Sequence, residues 1–91
     1  MMHIQEKQLE RIFKALANRR RIAVILYLKK KKEASVGDIA AELKLSIKST
    51  SRHLFVLSAA AILERDQRSS QVFYSLASDI PEVARRIIAL L

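Results

Sequence analysis

The most informative segment of the chain is Leu45-Ser46-Ile47-Lys48-Ser49-Thr50-Ser51-Arg52-His53-Leu54. Ser46 is a residue type that caps the start of a helix, and small or apolar side chains then recur at spacings of four and three. These positions, which predict one buried face, are Thr50, Leu54 and Leu57. The opposite, exposed face would present Ile47, Lys48, Ser51 and Arg52.

This predicted helix lies in a long stretch without negative charge, because no Asp or Glu occurs between Glu42 and Glu64. Short hydroxyl groups and two cations on such a face can approach phosphates closely and still reach the edges of bases. An ordinary solvated helix surface has a similar composition, since Lys and Ser are common on any surface. The segment alone therefore leaves a nucleic-acid interface and a solvated face as alternatives.

The size and charge of the chain favour the first alternative. The 91 residues are enough for one domain with a single core. Seventeen Lys and Arg against nine Asp and Glu give a formal net charge of +8, while 51% of the residues are hydrophobic, too many for a disordered basic tail. The positive charge must lie on the outside of a folded unit, where it attracts a polyanion such as nucleic acid or an acidic membrane surface.

Several protein classes are excluded. The sequence contains no cysteine, which excludes disulfide scaffolds, cysteine nucleophiles and thiolate metal sites. No apolar run approaches the roughly 18 residues of a membrane span, and residues 1–7 do not resemble a signal peptide. No acid, base and nucleophile converge by spacing, and no glycine-rich phosphate loop is present. We therefore expect a soluble, cytoplasmic protein that is not an enzyme.

Two helices are predicted before the central segment. An apolar stripe at helical spacing predicts a first helix over residues 4–17. Asn18 then interrupts the pattern, and residues 19–30 predict a second helix that is apolar nearly all round, as expected in the middle of a small bundle. The cations Lys29–Lys32 follow, and they are either a solvated helix end favoured by the helix dipole or a phosphate contact.

A helix-turn-helix unit is predicted next. Ser35, with Asp38 three residues later, resembles a capping box that starts a short third helix. This helix carries the small residues Ala40 and Ala41, and only two or three residues connect it to Ser46. Small side chains permit two helices to approach closely, so the pattern indicates a helix-turn-helix.

Beyond the central helix, the pattern changes from helical to extended. Ile62–Asp66 and Gln71–Leu76 are rich in β-branched and aromatic residues, and Gln67–Ser70 separates them. The sequence therefore predicts a two-stranded hairpin with basic residues near its tip.

A last helix is predicted over residues 80–91, with Pro81 in its first turn. Its apolar stripe reaches the last residue, so the helix must either return to its own core or pair with a partner. We expect a dimer seam that this helix forms together with the first helix. The residues predicted for the seam are Ile4, Leu9, Ile12, Phe13, Val83, Ile87, Ile88 and Leu91.

The order of these elements is that of a winged helix-turn-helix domain, mainly α with a small β-hairpin, and the chain resembles the ArsR family of bacterial and archaeal repressors. Three blocks carry the resemblance: Leu16–Ile22 is similar to the family's Leu-Ala-Asp-Pro-Thr-Arg-Leu entry to the second helix, Leu45–Leu57 to its recognition helix, and Val72–Leu76 to its second wing strand. The resemblance implies a single domain over residues 1–91. Its parts would be a recognition helix at about 46–60, a wing at about 62–76, and dimer helices at about 4–17 and 80–91.

The resemblance also implies a function. Members of the family place two recognition helices in successive major grooves of double-stranded DNA, and their wings reach the backbone or the minor groove. We therefore expect a homodimeric, nucleoid-associated regulator that binds DNA with sequence preference and represses transcription. Carried over by position, the DNA-binding residues are Ile47, Lys48, Ser49, Thr50, Ser51, Arg52, Arg65 and Arg68.

Each of these residues has an expected role. Lys48 and Arg52 would contact guanine or phosphate, Ser51 a base edge or phosphate, and Ile47 a thymine methyl group. Ser49 and Thr50 would lie near the first phosphate, and Arg65 and Arg68 would be the cations of the wing. His53 is expected to pack at the edge of the helix and not to contact DNA.

The chain departs from the family at positions that sense metals. Many members use cysteines in the third helix or Asp and His ligands in the last helix, whereas this chain has no cysteine and its last helix has no histidine. His3 and His53 are far apart in sequence and have no carboxylate partner at ligand spacing. We therefore expect no metal and no cofactor.

Other departures concern the turns. Glycines that family members carry before the recognition helix, after it and at the wing tip are replaced here by Lys44, Ala61 and a residue among Gln67–Ser70. Because a Cβ atom at positive φ costs energy, these turns are expected to use other geometries. Phe55, one turn beyond Ser51, would either pack under the wing or mark a contact of another kind.

Two other functions fit the sequence as alternatives. A winged helix can serve as a protein-interaction module, since a fold does not dictate a function. The high charge and the lysine run also fit a chromatin or RNA binder without sequence preference.

Overall fold

Five helices and a three-stranded sheet make up residues 4–91, the part of the chain that the structure, a computed structural model, describes. In chain order they are α1 (Glu6–Leu16), α2 (Arg19–Lys31), β1 (Glu33–Ser35), α3 (Val36–Leu43), α4 (Ile47–Ala59), β2 (Leu63–Arg68), β3 (Gln71–Leu76) and α5 (Glu82–Ala89). This is the element order of a winged helix-turn-helix, which confirms the predicted fold class. His3, considered and rejected above as a metal ligand, lies outside the described residues.

Three helices begin where a short polar side chain accepts hydrogen bonds from backbone N–H groups that have no helical partner. The Oδ1 atom of Asn18 accepts from the N–H groups of Arg20 at 3.0 Å and Arg21 at 3.1 Å, which starts α2. The hydroxyls of Ser35 and Ser46 accept from the N–H groups three residues on, at 3.1 and 3.0 Å, and start α3 and α4. These caps confirm the helix starts predicted from the sequence.

Two residues of the helix-turn-helix region adopt the left-handed conformation although they are not glycine, one in the turn between α3 and α4 and one directly beyond α4. Lys44 after α3 has a φ of 56°, and Ala61 after α4 has a φ of 62°. The N–H groups of Ala61 and Ile62 donate to carbonyls of the last turn of α4 at 2.9 and 3.0 Å, as in a Schellman motif, and those of Lys44 and Leu45 do the same after α3 at 3.3 and 3.0 Å. The expectation of other turn geometries is therefore wrong here, because these hydrogen bonds offset the strain of the Cβ atom.

Replacement of Ala61 by glycine is expected to raise the free energy of unfolding by about 0.5–1 kcal/mol, since glycine adopts positive φ without steric cost. Urea denaturation at one fixed protein concentration measures this. The matched control is Ala59→Gly, at an ordinary helical position in the last turn of α4, where glycine costs about 0.5–1 kcal/mol. A similar loss in both variants would contradict the claim that Ala61 is strained.

The sheet is antiparallel with the strand order β1-β3-β2. β2 and β3 form the predicted hairpin, although β2 extends to Arg68, beyond the predicted end at Asp66. β1 is an additional strand that the sequence did not predict. Its central residue Ala34 lies opposite Tyr74 of β3, and both side chains are buried. The three residues of β1 contain only one small apolar side chain, too short a pattern to predict a strand, so the strand depends on its distant partner.

The core holds α4 by one face. The buried residues of α4 are Thr50, Leu54 and Leu57, as the spacing predicted. Around them pack side chains of α1, α2, α3 and the segment before the hairpin that are at most 1% exposed: Ile12, Ile25, Leu28, Ile39 and Ile62. Burial of this face orients the opposite face of α4 toward solvent.

Two residues predicted for the dimer seam belong to the core instead. Ile12 is 0% exposed and Ile88 is 5% exposed within one copy of the chain. Their assignment to the seam is therefore wrong. The apolar stripes of α1 and α5 are wide enough to cover both the core and an exposed edge, and helical spacing alone does not separate the two.

The lysine run ends α2 and also fastens α5. The Nζ atom of Lys29 donates to the carbonyl of Ile88 at 3.0 Å, near the end of α5, where backbone carbonyls lack helical partners. Lys30, Lys31 and Lys32 are exposed. No helix within residues 4–91 is long and apolar enough to cross a membrane.

Candidate nucleic-acid interface

The outward face of α4 carries cations and no acid. Lys48, Ser51 and Arg52 are exposed, and Ile47 is 56% exposed. Neither Lys48 nor Arg52 forms an ion pair with any residue in 4–91. The side chains that the spacing predicted to point outward therefore do so, and their charged ends are available to an anionic partner.

Two neighbouring hydroxyl residues are less accessible. Thr50 is 0% exposed, so it lies in the core and has no surface to offer a phosphate. Its assignment to DNA binding is wrong, because its position in the buried stripe of α4 overrides the role carried over from the family. Ser49 is half-buried, and its N–H is capped by Ser46.

One arginine joins three helices behind this face. The Nε and Nη2 atoms of Arg21 donate to the carbonyls of Ala15 and Lys14, each at 2.7 Å, and so satisfy carbonyls at the end of α1. Its Nη1 atom lies 3.3 Å from Nδ1 of His53 on α4. His53 lies 32 positions from Arg21 along the chain, so no local pattern could have predicted the contact.

His53 is half-buried at the edge of α4, which agrees with the packed role expected for it. Burial lowers the pKa of its imidazole below the ordinary value, and the charges of Arg21, Arg20 and Arg52 lower this pKa further. The ring is therefore neutral at neutral pH, and its unprotonated nitrogen can accept a hydrogen bond from Arg21. The positive charge of this region comes from arginines.

The two predicted wing cations lie on opposite faces of the sheet. Arg65 lies directly opposite the buried Tyr74, so it shares the sheet face that packs on the helices. Asp66 and Arg68 each differ from Arg65 by an odd number of positions and lie on the outer face. Arg65 forms no ion pair with any residue that the structure describes.

Arg68 is engaged by acids of its own chain. Its Nη1 and Nη2 atoms donate to the two carboxylate oxygens of Glu33 on β1, each at 2.8 Å, and its Nε atom donates to Asp66 at 2.8 Å. The guanidinium also lies 4.7 Å from the centre of the Phe73 ring. The hydrogen bonds from Arg68 lower the pKa of the Glu33 carboxyl group. The ion pair therefore persists to a lower pH than an ordinary carboxylate would allow, and it is lost as the pH falls through the lowered pKa.

Arg65→Ala is expected to weaken binding to every duplex by about three- to tenfold, as for a lost phosphate contact. Arg68→Ala should change DNA affinity less, because the Arg68 guanidinium is already occupied by Glu33 and Asp66. Fluorescence anisotropy with one labelled duplex compares the two variants, which carry the same loss of charge. A larger effect of Arg68→Ala would show that Arg68 leaves its carboxylates to meet DNA.

Phe55 does not pack under the wing. It is 70% exposed and lies with Val56 and Ala59 in a shallow groove beside α1, with Lys7 and Lys14 on the other side. The first of the two expectations for this residue is therefore wrong. The aromatic side chain extends the outward face of α4 toward α1.

A second apolar surface lies on the terminal helices. Phe13 of α1 is 48% exposed, and Leu90 and Leu91 after α5 are 86% and 43% exposed. Ile4 and Val83 border one groove of about 670 Å³, so the segments before and within these helices share a surface. The other predicted seam residues, Leu9 and Ile87, are half-buried.

Titratable metal ligands are not clustered in this part of the chain. Among residues 4–91, no three His, Cys, Asp or Glu side chains lie close enough together to hold a metal ion.

Comparison with known proteins relates this geometry to a family. A model described as bacterial regulatory protein, arsR family, matches residues 18–65, which is more than half of the chain. The arsenical resistance operon repressor of Escherichia coli (strain K12) is 34% identical over 77 residues, or 85% of this chain and 66% of that protein. The transcriptional activator HlyU of Vibrio cholerae serotype O1 is 34% identical over 67 residues, or 74% of this chain and 61% of that protein.

Both relatives are regulators of transcription and not enzymes, and this chain spans slightly less than two thirds of the length of each. The structure of HlyU from V. cholerae N16961 is 29% identical with a TM-score of 0.79, over 98% of this chain and 92% of that one. A DNA-binding domain of Mb0332 from Mycobacterium bovis, described as a homodimeric winged helix-turn-helix, is 26% identical with a TM-score of 0.78, over 99% and 85%. With the family model spanning α2 to the start of the wing, the chain belongs to the arsR family of bacterial regulatory proteins.

Proposed function

We propose that the protein is a homodimeric transcription regulator that binds double-stranded DNA with sequence preference and represses transcription at its sites. The observation that carries this proposal is the outward face of α4, where Lys48 and Arg52 are exposed, have no acid on their helix and form no ion pair within residues 4–91. Cations of this kind contribute affinity through phosphates, and side chains that reach base edges contribute sequence preference. The E. coli repressor matches 85% of this chain and the activator HlyU matches 74%, each at 34% identity, and the longer match supports repression over activation.

The roles on α4 follow from exposure and chemistry. Arg52 and Lys48 would donate to guanine or phosphate, Ser51 would donate to a base edge or phosphate, and Ile47 would contact a thymine methyl group. Arg65 would reach the backbone from the wing. Ser49, which is half-buried, would lie near the first phosphate.

A second copy of the chain is the proposed partner. It would cover the apolar surface formed by Ile4, Leu9, Phe13, Val83, Ile87 and Leu91. These are the residues predicted for the seam, without the two that belong to the core, Ile12 and Ile88. Large exposed hydrophobic residues on two terminal helices favour such pairing. The relative from M. bovis, described as homodimeric, supports it.

A two-fold symmetric dimer would place two α4 helices in successive major grooves, about 34 Å apart, on a roughly palindromic site. Occupation of such a site within a promoter would block transcription in the cytoplasm, where the nucleoid lies. Metal is not part of the proposal, because the thiolates that arsenic and other soft metals prefer are missing from the sequence.

Selection of bound duplexes from a random library, combined with a mass measurement in solution, tests the proposal. We expect an enriched inverted repeat, a mass of two chains, and an affinity that falls at least about a thousandfold between 50 and 200 mM salt if six or more phosphates are neutralised. A reporter gene placed behind the selected site should be expressed less when the protein is present.

Other outcomes identify the alternatives. Tight binding without any enriched sequence would indicate a sequence-independent binder of chromatin or RNA. Salt-independent, weak binding to all duplexes would indicate a protein-interaction module. Enriched binding by a single copy of the chain would keep DNA recognition and remove the dimer.

A further inference from the structure

Arginines from two helices converge beside the outward face of α4. Arg20 and Arg21 in the first turn of α2 and Arg52 on α4 all lie close enough to His53 for their charges to act on its imidazole. Arg21 contacts the ring directly at 3.3 Å, which fixes the first turn of α2 against the middle of α4. Arg19 and Arg20 are exposed. The cationic surface of α4 therefore continues onto α2.

The first turn of α2 is an unfavourable place for three arginines. The N-terminal end of a helix carries a partial positive charge, so cations there cost stability and acids are preferred. α2 has no acid in this turn. The N–H groups of Arg20 and Arg21 are already capped by Asn18, so the arginine side chains are the main groups that could bind an anion here.

The side chains of Arg19 and Arg20 have no anionic partner within the chain. Neither forms an ion pair with any residue in 4–91. Glu42 at the end of α3 borders the same shallow groove and forms an ion pair with neither of them. By contrast, the guanidinium of Arg21 already donates hydrogen bonds to the carbonyls at the end of α1.

We propose that Arg19 and Arg20 bind phosphates of the duplex beside the groove that α4 enters, and so extend the DNA interface from the recognition helix onto α2. The proposal rests on the DNA-binding function proposed above. Continuity with Arg52 favours DNA as the source of the phosphate. Because phosphates carry no sequence information, this contact adds affinity and leaves sequence preference unchanged.

The test compares Arg19→Ala/Arg20→Ala with Lys31→Ala/Lys32→Ala, which removes the same charge at the other end of α2, away from the groove that Arg19 and Arg20 border. Lys31 lies about 18 Å from Arg19 along the helix at 1.5 Å per residue. Fluorescence anisotropy is measured with the selected duplex and with an unrelated duplex of equal length at several salt concentrations. We expect the arginine variant to bind both duplexes about tenfold more weakly, with the salt slope reduced by about 0.9 per phosphate lost. The lysine variant should stay within about threefold.

Arg19→Lys/Arg20→Lys should retain most of the affinity, since a phosphate accepts either cation, and this separates loss of charge from loss of structure. The inference would be overturned if the two alanine variants, that of the arginines and that of the control lysines, had equal affinities and salt slopes. If the preference for the selected duplex were also intact, the proposed function would still stand. A larger loss on the selected duplex than on the unrelated one would also overturn it, because it would indicate base contacts. Failure of the unmodified protein to prefer any duplex would instead remove the proposed function itself.

Discussion

A variant in which both Lys48 and Arg52 are alanine is expected to bind its selected duplex at least about a hundredfold more weakly than the unmodified protein, or about 2.8 kcal/mol in binding free energy. A dimer loses four side chains, and a good base contact contributes about 1–3 kcal/mol. Both side chains are exposed and unpaired within residues 4–91, so the fold should be unaffected. Anisotropy measures the affinity, and circular dichroism checks the helix content.

Preference is as informative as affinity in this experiment. If Arg52 or Lys48 reads a base, the ratio between selected and unrelated duplexes should fall with the affinity, because only one of the two duplexes presents the correct base edge. The control Lys30→Ala/Lys31→Ala removes the same charge from the last turn of α2. Equal weakening by both double variants would mean that α4 contributes charge alone and would refute its role as a reader of sequence.

Local signals predicted the helix boundaries well. Asn18, Ser35 and Ser46 each cap a helix through side-chain contacts two or three residues along the chain, so the sequence around each one contains the whole interaction. β1 escaped prediction for the opposite reason. Its pairing joins Ala34 to Tyr74, and nothing in the three residues of β1 indicates that partner.

The candidate site was predicted as a face but not residue by residue. Thr50 had two incompatible roles, one from spacing and one from the family resemblance, and burial decided for the first. Arg68 was predicted to bind DNA as a cation of the wing, yet Glu33, 35 positions away, binds it bidentately. Arg19 and Arg20 drew no attention in the sequence, although a helix start with three cations and no acid is a signal that could have been used.

The turns make a related point about strain. Lys44 and Ala61 occupy left-handed positions that glycine favours, and the sequence led to the expectation that the turns had changed. The fold kept both turns because Leu45 and Ile62, the residues that follow, donate hydrogen bonds back into the helices at 3.0 Å. In each turn, the hydrogen bonds therefore offset the cost of a Cβ atom at positive φ.

The proposed dimer is expected to dissociate when Phe13 and Leu91 are both replaced by glutamate. The two side chains are 48% and 43% exposed in one copy, so the isolated fold should tolerate the change, whereas a symmetric seam would have to bury four new charges. The measured mass should fall from two chains to one at micromolar concentration. DNA affinity should fall at least about a hundredfold. In a dimer, binding of one half-site holds the second subunit close to the other half-site, whereas separated chains would have to bind each half-site independently.

Leu26→Glu is the matched control for this experiment. Leu26 is 45% exposed, close to the values for the two seam residues, but it lies beside α3, where it borders a groove with Leu43. This variant should remain dimeric, and the control compares only the mass, because the new acid would lie in the groove that Arg19 and Arg20 border. A mass of two chains for Phe13→Glu/Leu91→Glu would place the seam elsewhere on the molecule. Dissociation by Leu26→Glu would place the dimer seam on α2, in the groove that Arg19 and Arg20 border. In that case the partner subunit and the DNA phosphates would compete for the same surface.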